Sequence, residues 1–230
     1  MKPAFWARSA HKWIGLVIGV QALLWMISGL YMTAISIDII HGDHLAQMDT
    51  EPVSASGGIV SSNELVQRYP GLQGFRLKHF MGKDVYEVHY AKGTELVDAQ
   101  SGASLGTLDE ATARQRASAL YHGAARLTSM HLLHQAPQEV ATRPVPMWQA
   151  NFGDRGETTL YISPHTGELL AKRHSLWRMY DFLWMFHIMD YEKRADVNNT
   201  LLRVAASVGV AFALSGVWLL FYSFRRRKAA

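Results

Sequence analysis

WIGLVIGVQALLWMISGLYMTAISI, residues 13–37, is a run of 25 residues in which none is charged. A second uncharged run, of 21 residues, covers 204–224. An α-helix needs about 20 predominantly apolar residues to cross the hydrocarbon core of a bilayer. The sequence therefore predicts two transmembrane helices, at 13–37 and at 201–224.

Charged residues are distributed unevenly along the chain, which has 23 Lys and Arg against 19 Asp and Glu in 230 residues. All of the acidic residues lie within 38–203, whereas the two ends of the chain contain only basic ones. Basic residues beside a span remain in the cytoplasm. We therefore expect 1–12 and 225–230 to be cytoplasmic and the segment between the spans to be periplasmic, in a bacterial inner membrane. The pI near 9.3 then reflects this topology and predicts no nucleic-acid partner, and membrane lipid is the expected partner of the spans.

Between the predicted spans, the sequence has the pattern of two similar α+β units, 38–136 and 137–175. Capping signals at Ser61 and Asp109 predict helices in the first unit. Alternating apolar residues predict antiparallel strands in both units, including a hairpin strand at 103–108.

The two predicted units share one hairpin. A shift of 65 residues places Ser101-Gly102 on Thr166-Gly167, and at both glycines we expect a positive φ. After the second unit, 176–200 predicts an interfacial amphipathic helix and a linker. The expected fold is thus a duplicated α+β periplasmic module anchored by two transmembrane α-helices.

Cysteine is absent from the chain. This excludes disulfides, iron–sulfur clusters and covalently attached c-type haem. Any haem bound to this chain is therefore of the b type, with histidine as the most suitable ligand.

Four histidines flank the predicted spans, and we predict them as the cofactor-binding residues. His11 precedes the first span, His41 and His44 follow it, and His187 precedes the second span. His11 and His41 are 30 residues apart, about 45 Å along a helix, so one haem cannot use both.

Each of these four histidines also has a simpler interpretation. His11 fits an interfacial residue, and His41 with His44 fits a solvated turn. His187 lies in an apolar helix, where a buried imidazole needs a hydrogen-bond partner that Asp190 could supply. A two-fold dimer would bring each histidine to its own copy.

A further pair, His131 and His134, is spaced i, i+3 and is predicted to lie on one helix face. Together with Met residues, the pair is a candidate metal site for copper. Two ligands do not complete a zinc site, and ordinary packing is the alternative.

Two motifs resemble a known family. LYISPHTGELL, residues 160–170, resembles the signature hairpin of PepSY domains. His11-Lys12-Trp13-Ile14-Gly15-Leu16, followed by Ser28-Gly29-Leu30, resembles the opening helix of the PepSY-associated transmembrane family.

The resemblance implies an inner-membrane protein with periplasmic PepSY modules, linked to iron uptake, among whose larger relatives are haem b ferric reductases. We therefore expect a haem-b ferric-reductase-like or accessory subunit in iron acquisition and electron transfer. The alternatives are a non-enzymatic periplasmic interaction or regulatory module and a periplasmic metal-binding protein. The expected partner is a second copy of the chain or another membrane or periplasmic protein.

Overall fold

The computed structural model describes residues 3–47, 52–53 and 58–223 of the chain. The predicted cytoplasmic tail, 225–230, lies outside the described residues. The chain divides into two compact units. We call Met1–Ile37 with Arg178–Ala230 the helical unit, and Asp38–Trp177 the sheet unit.

Two long helices, α1 (Pro3–Ala34) and α6 (Thr200–Ser223), make up most of the helical unit. Both are long and apolar enough to cross a membrane, as the sequence predicted. They pack against each other at Gly15, where an added Cβ would lie 2.8 Å from the ring of Phe212. The missing side chain at Gly15 therefore permits this close approach.

The predicted interfacial segment contains one helix, α5 (Ser175–Ile188), followed by a turn that leads into α6. Met189 has a φ of 54°, a left-handed conformation that ends α5. Asp190 accepts hydrogen bonds from the backbone amides of four residues, 192, 193, 195 and 196. These amides lower the pKa of Asp190 to about 2 and fix the turn.

The sheet unit contains two antiparallel sheets. The three-stranded sheet has the order β1 (Gly74–Phe80), β2 (Lys83–Tyr90), β3 (Gly93–Asp98). The four-stranded sheet has the order β4 (Leu127–Leu133), β5 (Met147–Phe152), β6 (Thr159–Ile162), β7 (Leu169–Arg173). Among the described residues, three α-helices and one short 3₁₀ helix (Gln138–Val140) complete the unit. The α-helices are α2 (Ile37–His41), which begins at the unit boundary, α3 (Ser62–Arg68) and α4 (Glu110–Leu120). The α+β class with apolar helices towards both ends is confirmed.

The predicted helix caps are present. Ser61 forms a full capping box with Glu64 at the start of α3. The Asp109 side chain accepts a hydrogen bond from the backbone amide of Thr112 at the start of α4. Each of these side chains satisfies backbone amides that have no partner within the helix.

The two hairpin turns have the same backbone geometry. Gly102 donates to the carbonyl of Asp98, and Gly167 donates to the carbonyl of Ser163, both at 2.9 Å. The φ angles are 68° at Gly102 and 64° at Gly167, so the predicted positive φ is confirmed at both glycines.

An arginine holds each turn from the preceding helix. Arg68 lies seven residues after the N-cap of α3 and donates to the carbonyl of Gly102. Arg116 lies seven residues after the N-cap of α4 and donates to the carbonyl of Gly167. Strand β4 belongs to the four-stranded sheet, although it precedes the predicted unit boundary at 137.

The structure corrects two predicted elements. Residues 127–133 form strand β4, so His131 and His134 do not share a helix face. Thr128 and Ser129 have side chains that compete for backbone hydrogen bonds and disfavour a helix interior, and pairing with β5 determines the outcome. The predicted hairpin strand at 103–108 is reduced to an isolated bridge between Val97 and Ser104.

A single glycine substitution tests the turn geometry. In Gly167→Ala, the new Cβ would meet the ring of Phe80 and would also occupy a left-handed backbone conformation. We expect a loss of about 2–4 kcal/mol in the free energy of unfolding, measured by thermal or chemical denaturation of the purified protein. Gly106→Ala is the matched control, because Gly106 has a φ of 67° but open space around the Cβ. The control should lose only about 1–2 kcal/mol, and equal losses in both variants would contradict the predicted overlap with Phe80.

Candidate functional site

The end of α5 is bound to α1 by side chains from the middle of α1. Gln21 donates to the carbonyl of Phe186 at 2.9 Å, and the indole of Trp25 donates to the carbonyl of His187 at 2.8 Å. The last carbonyls of a helix have no partner within the helix. Gln21 and Trp25 satisfy two of them and thereby fix the backbone of His187.

The imidazole of His187 contacts a buried serine. Its Nδ1 lies 2.8 Å from Oγ of Ser28, and that hydroxyl donates to the carbonyl of Leu24 at 2.7 Å. Because the serine proton is already donated, Oγ accepts the Nδ1–H of His187. This tautomer leaves the lone pair on Nε2, for which the described residues provide no hydrogen bond.

His11 has the same arrangement against α6. Its Nδ1 lies 2.8 Å from Oγ of Ser215, whose hydroxyl donates to the carbonyl of Phe212 at 2.7 Å. The imidazole stacks on the ring of Phe212, with centroids 4.4 Å apart. A Cβ at Gly216 would lie 3.3 Å from the imidazole, so the glycine makes room for it. Within the described residues, Nε2 of His11 likewise has no hydrogen-bond partner.

The two imidazoles lie far apart in the helical unit. His187 is bonded to Ser28, and Ser28 is 17 residues from His11 along α1, which corresponds to about 25 Å. One cofactor cannot use both side chains, so they belong to two separate sites. The suggested partner of His187, Asp190, is bonded instead to backbone amides of its own turn.

In the sheet unit, His41 and His44 point to different surroundings. His41 lines a cleft of about 660 Å³. The ring of His44 packs edge-on against His174, with centroids 6.2 Å apart. His174 is buried and donates from Nε2 to the carbonyl of Ile40 at 3.0 Å. No sequence motif marked His174, because its importance comes from a contact with a residue 134 positions earlier.

The cleft beside His41 is rich in cationic side chains. Lys172 donates to Asp43 at 2.6 Å, which lowers the pKa of that carboxyl. The guanidinium of Arg173 lies 3.7 Å from the ring centroid of Trp177. Arg143 also lines the cleft and is exposed. Three cations against one carboxylate give this cleft the charge needed to bind an anionic group.

The second histidine pair lies on and after a strand, not on one helix face. His131 is on β4 and His134 follows its end, and side chains three residues apart along an extended strand point to opposite faces. Among the described residues, no group of three or more His, Asp or Glu side chains is arranged to hold a metal ion.

Comparison with known proteins found no family model and no curated protein that matches the chain. The PepSY resemblance therefore rests on the motifs at residues 11–30 and 160–170.

The burial of His174 leads to a pH dependence. Burial lowers the pKa of His174 below its ordinary value of 6.5. The unfolded chain then binds a proton that the folded chain does not, so the free energy of unfolding should fall as the pH drops below about 6.5. We expect denaturation between about pH 7.5 and about pH 5 to show this loss, and His174→Gln to show less of it. The control His165→Gln, at an exposed turn, should keep the parent's pH dependence, and an unchanged dependence in His174→Gln would contradict the assignment.

Proposed function

We propose that this chain is a PepSY-like protein of the bacterial inner membrane that carries haem b and acts as a ferric-reductase-like or accessory subunit in electron transfer and iron acquisition. His11 and His187 are the proposed ligands, at two separate sites. The observation that supports this most directly is the shared arrangement of the two imidazoles, each with Nδ1–H held by a helix serine and Nε2 without a hydrogen bond.

This arrangement suits an iron ligand for a physical reason. A metal-bound histidine typically donates its second ring N–H to a neighbouring acceptor, which fixes both the tautomer and the ring orientation. Ser28 and Ser215 provide that acceptor, and each is itself held by a backbone carbonyl. Nε2 of each imidazole is then the atom available to bind iron.

Bound haem b would supply one-electron transfer at each site. His11 would hold the haem at one site and His187 at the other, and a second copy or a partner protein would complete each site. The separation of about 25 Å between His11 and His187 fits sites near opposite faces of a bilayer whose hydrocarbon core is about 30 Å thick.

The charge distribution supports the orientation in this proposal. All acidic residues lie between the two apolar helices, and the ends of the chain are basic, so we propose that both ends are cytoplasmic and the sheet unit is periplasmic. The cationic cleft at His41 and Arg143 then faces the periplasm, where it would bind the carboxylates of a ferric chelate.

A second candidate function is a non-enzymatic interaction module. It is favoured by a second cleft in the sheet unit, of about 570 Å³, between the β2–β3 turn and the loop 144–146. Exposed Val145 and the polar side chains of Lys92 and His165 line this cleft, a mixture typical of a site that binds a protein segment.

Substitution of His187 separates ligand from structural roles. His187→Asn retains a donor near Ser28 but removes Nε2, so we expect it to lose about half of the haem while its unfolding temperature stays near the parent's. Ser28→Ala retains Nε2 but removes its orienting acceptor, and should weaken haem binding by about 10–100-fold. Haem content is measured by absorbance of protein purified after expression with added haem.

The control is His165→Asn, at an exposed turn, which should keep full haem content. Full haem content in both His187→Asn and His11→Asn would contradict the assigned ligands. A parent protein that is folded but colourless would leave the interaction module as the better account.

A further inference from the structure

Strand edges in the sheet unit differ sharply in their charge. The edge strands β1, β3 and β7 carry charged side chains: Arg76 and Lys78, Glu95 and Asp98, Lys172 and Arg173. The fourth edge strand, β4, has the sequence LTSMHLL and carries no Lys, Arg, Asp, Glu or Pro. Charges on an edge strand discourage pairing with another chain. Among the described strands, β4 alone is an edge without this protection.

The regular part of β4 is short and well defined. A bulge between Leu127 and Ser129 interrupts the pairing with β5, and the ladder then runs without interruption from Ser129 to Leu133. The centre of this run is His131, which is exposed. Its neighbour Leu132 is 40% exposed, although Met130, on the same face, is buried in the core.

We propose that β4 is the docking edge for a second copy of this chain, which adds its own β4 antiparallel about a two-fold axis at His131. With the axis at His131, all five residues of the regular run, 129–133, pair with the same five residues of the second copy. It places Ser129 opposite the partner subunit's Leu133, and His131 opposite the partner subunit's His131. The two four-stranded sheets then form one continuous sheet across the dimer.

Two features favour a second copy as the occupant. The run contains no charge, so antiparallel pairing with itself brings no like charges together. The proposed membrane anchors hold copies in one plane and raise their effective concentration. The area that a five-residue edge buries is smaller than the roughly 1,200–2,000 Å² buried in the interface of a stable soluble dimer. Confinement to a membrane compensates for this small area.

This inference rests on the charge pattern and exposure of β4 and on the membrane anchoring of the proposed function, whereas the haem proposal rests on the hydrogen bonds of His11 and His187. Cross-linking reports the dimer without any haem signal, so the two can fail independently.

Because the chain lacks cysteine, single cysteines report the register directly. His131→Cys in native membranes should form a disulfide-linked dimer, because directly opposed antiparallel residues have Cα atoms about 4.5–5.5 Å apart, within disulfide range. Ser129→Cys and Leu133→Cys should each cross-link poorly alone, since each lies about 14 Å from its own copy. Co-expression of these two variants, distinguished by tags, should produce the mixed cross-linked dimer.

A charge at the edge provides the second test. Leu132→Lys should reduce the His131→Cys cross-link by about tenfold or more, since it places two like charges near the pairing edge. Leu105→Lys is the matched control, because Leu105 is 42% exposed against 40% for Leu132 and lies outside the strand edges. Unfolding temperatures of both variants check that the sheet unit is intact.

The proposal is overturned if His131→Cys cross-links no better than a cysteine at exposed Ser118, or if Leu132→Lys is folded and cross-links like Leu105→Lys. Cross-linking of His131→Cys to a different protein, with no homodimer, would also overturn it.

Discussion

The helical unit depends on one constraint: a polar group packed among apolar side chains must find a hydrogen-bond partner, because those side chains offer none. Gln21 and Trp25 meet this requirement for the end of α5, and Ser28 and Ser215 meet it for one nitrogen of each imidazole. The second nitrogens of His11 and His187 have no hydrogen bond among the described residues, which leaves them available to a ligand. The buried side-chain atom of the described residues that lacks a partner is Nε of Arg194.

In the sheet unit, the equivalent constraint is the burial of charge. Glu87 is 4% exposed, and burial alone would raise the pKa of its carboxyl. Lys78 and Arg76 on the neighbouring strand outweigh this effect, so the pKa of Glu87 lies below its ordinary value. Arg76 also bonds to Glu168, which follows the second hairpin turn, and so connects the two repeats. Arg116 and Lys78 donate hydrogen bonds to the carbonyls of the same turn, whose Thr166 lines the second cleft.

Local signals in the sequence predicted the features that depend on neighbouring residues. Ser61 and Asp109 cap their helices with side chains that act within three residues, and Gly102 and Gly167 take the conformation that their turns require. The missed features depend on distant partners. Strand β4 is defined by pairing with β5 across the proline-containing segment that follows it, and a bulge disturbs its alternation. The bonds of His187 to Ser28 and of His174 to Ile40 join residues more than 130 positions apart, which no spacing rule can anticipate.

The central claim is that His11 and His187 coordinate iron through Nε2 while Nδ1–H stays bonded to serine. Pulsed electron paramagnetic resonance of the oxidised protein, with histidine labelled by ¹⁵N, tests this claim most directly. The account predicts hyperfine coupling from a coordinated histidine nitrogen that disappears in the double variant His11→Asn, His187→Asn. A ferric spectrum without histidine coupling, or coupling that persists in the double variant, would contradict it.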